Sequence, residues 1–122
     1  MTWDSAKEFA LKKIESMLQG KDPKGMQITL TDYDSEETFR FLTESEDEWK
    51  NWSFGYFKMV NRAIARILRT RGVNVTRAEI ELQPFLDWLA QQNEKNSPAS
   101  RAMYVGKIVA TRAAEKARKK LQ

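Results

Sequence analysis

Asp32, Asp34, Glu36 and Glu37 cluster in the first half of the chain, and carboxylates at such spacing could hold a divalent cation or share acid/base work. A calcium loop beginning at Asp32 needs glycine at position 37 for its sharp turn and a bidentate glutamate at 43. Glu37 and Thr43 stand there instead. As an acid/base pair, Asp32 and Asp34 would share one face of a strand next to a water-exposed turn, where little would drive their proton affinities apart. The cluster therefore reads as a solvated turn. The chain has no histidine and no cysteine, which removes the commonest general base near neutral pH, thiolate nucleophiles, zinc ribbons and disulfide frameworks. No metal and no cofactor is expected.

Asp32 or Asp34 followed by Glu48-Trp49-Lys50 resembles the D…ExK pattern of restriction-type nucleases. That resemblance implies two carboxylates on Mg²⁺ and a lysine beside the attacking water. Those enzymes carry ExK on a strand, whereas the spacing here places it in the first turns of a helix whose Trp49 serves the core. Gly20-Lys-Asp-Pro-Lys-Gly25 looks like a phosphate loop only superficially, because Met26 and Gln27 occupy the places of its lysine and hydroxyl residue. No enzyme is expected from these motifs.

The basic residues are better ordered. At about 100° per residue, Lys58, Arg62, Arg66 and Arg69 project within an arc of about 80°, away from the stripe formed by Trp49, Trp52, Tyr56, Val60, Ala63, Ile64 and Ile67. No acid stands at i±4 to pair with them. A second row, Arg112, Lys116 and Lys119 with Arg118 and Lys120 beside it, occupies the C-terminal segment, where cations are also favoured by the helix dipole alone. Net charge is +4, unevenly spread. Residues 1–50 carry 7 Lys/Arg against 12 Asp/Glu, net −5, and residues 51–122 carry 14 against 5, net +9.

Two functions fit this distribution. The first is a non-catalytic domain that contacts a DNA or RNA backbone through Lys58, Arg62, Arg66 and Arg69, supported by Arg112, Lys116 and Lys119, without reading bases. A small subunit of a nucleoprotein assembly has these features. The second is a protein-interaction module, whether adaptor, inhibitor or self-assembling subunit, whose acidic region 32–48 and basic helices meet complementary surfaces, including those of another copy. The aromatics near the first row, Trp49, Trp52, Phe54, Tyr56 and Phe57, read as core rather than as a base-stacking platform. Phe54 alone points off the stripe.

These residues need elements to hold them. With 122 residues, 41% hydrophobic and 31% charged, the chain is long enough for one self-sufficient core, and a single domain over 1–122 is expected. The spacing predicts helices over about 2–19, 45–71, 84–92 and from 98 to near the C-terminus. Ser45 with Glu48 marks the start of the longest and Gly72 its end, and Ser97-Pro98 opens the last. The final helix has Ala102, Val105, Val109 and Ala113 as its apolar line. Met26, Ile28 and Leu30 alternate as in a strand, and Phe39 and Phe41 repeat that alternation after a turn at 34–36, which predicts a β-hairpin. Residues 34–42 could instead open a short helix, and 73–82 reads either way. The expected fold is α+β and predominantly helical: about four helices around one long central amphipathic helix, with a small N-terminal β-hairpin, or all-α if the hairpin segment is helical. The mixed charges of residues 1–18 do not form an export signal, and no apolar run approaches the ~18 residues of a membrane span. A cytoplasmic location without a membrane partner is the expectation.

Overall fold

The structure is a computed structural model that describes residues 2–121. Among them are five helices and a two-stranded sheet, in the order α1 (Trp3–Leu18), β1 (Gln27–Tyr33), α2 (Glu36–Thr43), α3 (Phe54–Thr70), β2 (Asn74–Ile80), α4 (Leu82–Gln92) and α5 (Pro98–Lys120). The fold is thus predominantly helical α+β. No helix among the described residues is long and apolar enough to cross a membrane.

The sheet is not a hairpin. Asn74 N–H donates to the Met26 carbonyl at 2.8 Å and Asp34 N–H to the Ile80 carbonyl at 3.1 Å, so numbering rises together along both strands and the pair is parallel. A parallel pair requires a long crossover, and residues 34–73 supply it with α2 and α3. The segment expected as the second hairpin strand is α2. Ser35 Oγ accepts from the Thr38 amide at 3.2 Å, and Glu36 pairs with Arg40 one turn on at 2.9 Å. These satisfy helix-terminal groups and add an i,i+4 pair, whereas a strand would use neither. Thr38, Phe39, Leu42 and Thr43 are buried at helical spacing and Phe41 is 52% exposed, although strand alternation would put Phe39 and Phe41 on one face.

Packing divides the chain into two compact units. The first comprises residues up to Ile28 together with Thr43–Thr76, and the second Thr29–Leu42 together with residues from Arg77 onward. In the first, α1 packs along α3. Ala6, Ala10 and Ile14 of α1 and Val60, Ala63, Ile64 and Leu68 of α3 are nearly inaccessible. Thr2 caps α1 in a reciprocal box with Ser5.

The long helix begins at Phe54 rather than near Ser45. Residues 46–52 form turns in which the Trp49 and Lys50 amides both donate to the Glu46 carbonyl, at 3.1 and 3.0 Å. Ser53 Oγ then accepts from the Tyr56 amide at 3.0 Å, replacing the Trp52 carbonyl that a continuous helix would use. Trp49 and Trp52, expected in the core stripe of the helix, precede it and are half-buried against its aromatic side, whereas Tyr56 and Phe57 are buried. Trp52 lies edge-on to Phe9 and Tyr56, each at 4.8 Å between centroids, and Trp49 sits 5.3 Å from Phe57.

In the second unit Phe85, Ile80, Leu42 and Val105 are fully buried, with Leu30, Tyr33, Phe39 and Leu89 around them. Segment 73–82, ambiguous by pattern, is strand over Asn74–Ile80, with Ala78 and Ile80 inward. Ser97 caps α5 in a box with Ser100. Of the expected apolar line on α5 only Val105 is buried; Val109 is half-buried, and Ala102 and Ala113 are exposed. From Ala110 onward every described residue of α5 is exposed, so nothing there selects an inward line.

Gly72 ends α3 at φ +86°, and a Cβ there would stand 3.3 Å from the Lys24 Cα. Gly106, inside α5, has no such neighbour within 4 Å. The same substitution should therefore act with opposite signs. By urea unfolding, Gly72→Ala is expected to lose about 1–2 kcal/mol, and Gly106→Ala to gain up to about 1 kcal/mol from helix propensity.

Candidate nucleic-acid interface

α3 holds eight buried residues along one side, and this fixes where its cations can go. Lys58, Arg62, Arg66 and Arg69 are all exposed, on the face that the angular spacing assigns to them. Their surroundings differ. Lys58 Nζ lies 4.5 Å from the centroid of the Phe54 ring, and the Arg66 guanidinium 6.0 Å from that of Trp3. Arg69 donates to the Val75 carbonyl at 3.4 Å. Among the described residues no carboxylate pairs with any of the four. The neighbouring Arg71, by contrast, is tied to Glu15 at 3.4 Å.

Trp3 is 43% exposed, so the Arg66 contact belongs to a surface. Phe54 is half-buried and stacks on Phe57 at 6.4 Å with 10° between planes. A ring face held beside a cation orients the charge while leaving its N–H groups for a ligand. The arrangement offers phosphate oxygens two cations braced on aromatic rings, one tied to a backbone carbonyl, and Arg62 between them. Arginine's planar fork suits phosphate better than an ammonium does. Sequence reasoning anticipated the four cations and the outlying Phe54. It missed Trp3, which is distant in the chain and carries no periodic signal at its helix start.

Arg112, Lys116 and Lys119 stand exposed on α5, in the second unit, and no carboxylate pairs with them among the described residues. Each row stands in its own unit. Another cation of α5 has a structural task that composition did not reveal. Arg101, 3% exposed, donates to the Leu42 carbonyl at 3.1 Å and to Asn96 Oδ1 at 2.7 Å, while Asn96 Nδ2 donates to the same carbonyl at 2.8 Å. A carbonyl of the last α2 turn, left without an intrahelical donor, is thereby satisfied.

The second unit also contains an open cavity of about 260 Å³ between α4 and α5. Its apolar wall is Trp88, Tyr104 and Ile108, with Lys107 and Arg112 at its rim. The Trp88 and Tyr104 rings stand 5.3 Å apart at 54°, both resting on Phe85. Trp88 is half-buried, and its Nε1 is buried without a hydrogen-bond partner among the described residues. Burial, and secondarily the charge of Glu81, raise the Tyr104 phenol above its ordinary value. The spacing of Tyr104, Ile108, Thr111 and Glu115, three and four residues apart, was the sequence signal for this face; the smaller apolar residues beside it obscured it.

Elsewhere Asp32 Oδ1 accepts from the Tyr33 amide at 2.8 Å. Glu48 pairs with Lys13 at 3.5 Å and Lys50 with Asp47 at 3.2 Å, in a turn rather than on a strand. No family model matches the chain, and no curated protein or solved structure matches it.

Lys58, Arg62 and Arg66 repel one another at i,i+4 spacing, at a cost of a few tenths of a kcal/mol per pair. Arg62→Glu exchanges two repulsions for two attractions and should raise stability by roughly 0.5–1 kcal/mol in urea melts. A loss of stability instead would mean that Arg62 has a structural partner in the free protein.

Proposed function

We propose that the chain is a small non-catalytic cytoplasmic domain that holds a nucleic-acid backbone on the exposed face of α3. Lys58, Arg62, Arg66 and Arg69 meet successive phosphates, and Arg112, Lys116 and Lys119 of α5 add non-specific attraction. Such a role suits a small subunit of a nucleoprotein assembly. The observation that carries the reading is the lack, among the described residues, of any carboxylate partner for four exposed cations on one helical face. α3 contains no acidic residue, so that face has no internal neutralisation.

Repulsion along the row lowers the stability of the free protein slightly, and a polyanion reverses the sign. Each phosphate neutralised also releases condensed counterions, which makes binding strong at low salt and weak at high salt. Trp3 and Phe54 brace two of the cations, which reduces the side-chain entropy that binding costs. A carboxylate-rich protein surface would also attract this face, but it would not give the salt slope of a linear polyphosphate.

Fluorescence anisotropy with a short labelled DNA duplex at several salt concentrations tests the reading. Saturable binding is expected, weakening steeply as salt rises. Replacing Lys58, Arg62, Arg66 and Arg69 together by Gln should lower the magnitude of the log K against log salt slope by about 3–4, since each phosphate that is no longer neutralised removes about 0.9. Binding that keeps its slope in the fourfold variant, or no binding at low salt, would contradict the proposal.

A further inference from the structure

Volume, ring chemistry and charge set the α4–α5 cavity apart from the rest of the surface. At about 260 Å³ it lies just below the ~300–1,000 Å³ range of pockets for drug-sized ligands, which suits one planar ring system and a short appendage. Its wall presents the half-exposed faces of Trp88 and Tyr104 with Ile108 beside them. Flat π-surfaces of this kind attract planar, polarisable rings. At the rim Lys107 and Arg112 are exposed and, among the described residues, without a carboxylate partner. The Tyr104 phenol stays protonated beyond the ordinary tyrosine range, so its hydroxyl adds no negative charge to the rim near neutral pH.

From this geometry we infer that the α4–α5 cavity takes one unstacked nucleotide, its base against Trp88, Tyr104 and Ile108 and its phosphate on Lys107 and Arg112. The inference rests on the nucleic-acid reading above, which selects a nucleotide among planar anions. Aromatic stacking accepts any base because each has a π-face. Thr111 and Glu115, which complete the lining, provide a hydroxyl and a carboxylate. Glu115 stands about 16 Å along α5 from Tyr104 at 1.5 Å per residue, out of reach of a base stacked there, and by repelling phosphate it favours the orientation with the phosphate turned toward Lys107. A single-strand end or looped-out base is the form of nucleic acid that can enter, since a base within a duplex keeps both faces stacked.

The test is a titration of the full chain with 2-aminopurine riboside 5′-monophosphate, whose fluorescence falls when its base stacks on an aromatic ring. Saturable quenching is expected. Arg112→Gln, at an exposed position whose loss should leave the fold intact, should weaken binding about tenfold. Tyr104→Leu, confirmed folded by circular dichroism, should weaken it at least as much. Lys12→Gln, at an exposed position of α1, should leave it unchanged. Absence of saturable quenching, or quenching indifferent to Arg112→Gln, overturns the inference. Because the mononucleotide assay does not involve the α3 row and the duplex assay offers no unstacked base, each proposal can fail without the other.

Discussion

Burial of one whole side of α3 is the constraint from which the first unit follows. A 17-residue helix that hides Tyr56, Phe57, Val60, Ala63, Ile64 and Leu68 must lay a partner along that side. α1 meets the need with Ala6 and Ala10, small enough for close approach, and Ile14. The rings of Phe9, Trp49, Trp52 and Tyr56 pack together beside this seam, and the left-handed Gly72 turns the chain after α3. Once the apolar side is committed, every long polar side chain of α3 except Asn61 is left outside. The alignment of the four cations is thus a geometric result of core formation, whereas their uniform sign is a property of the sequence that packing does not demand.

Elements whose periodicity was long and whose ends were marked could be read directly. Ser97 with Pro98, and Gly72, each mark a boundary by a specific backbone hydrogen bond or a left-handed φ. The failures arose where two local rules competed. Phe39 and Phe41 invite a strand, but the Ser35 cap and the Glu36–Arg40 pair act over the same few residues and win, leaving Phe41 outside. Ser45 with Glu48 invites an early helix start, yet Ser53 provides a competing cap next to the Trp52 ring and its aromatic neighbours. The parallel pairing of β1 with β2 joins residues nearly fifty apart, and no local pattern encodes it.

The site was legible to a similar degree. Angular spacing located the α3 cations because a single helix carries them. Trp3 and the Trp88–Tyr104 cavity depend on neighbours brought together by folding, and single-chain periodicity gives only their separate halves. Arg101 shows why counting charge overstates a basic surface: one of the cations of α5 is buried on the Leu42 carbonyl and is taken up by packing.

Amide and side-chain chemical-shift mapping of the isotopically labelled chain, titrated with a short DNA duplex, tests the central claim most directly, because it reports where the polyanion sits. The account predicts the largest shifts at the arginine side chains of Arg62, Arg66 and Arg69, the amides around Lys58, and the Trp3 indole beside Arg66. Shifts confined to other surfaces while the α3 face stays unperturbed at saturation would contradict it.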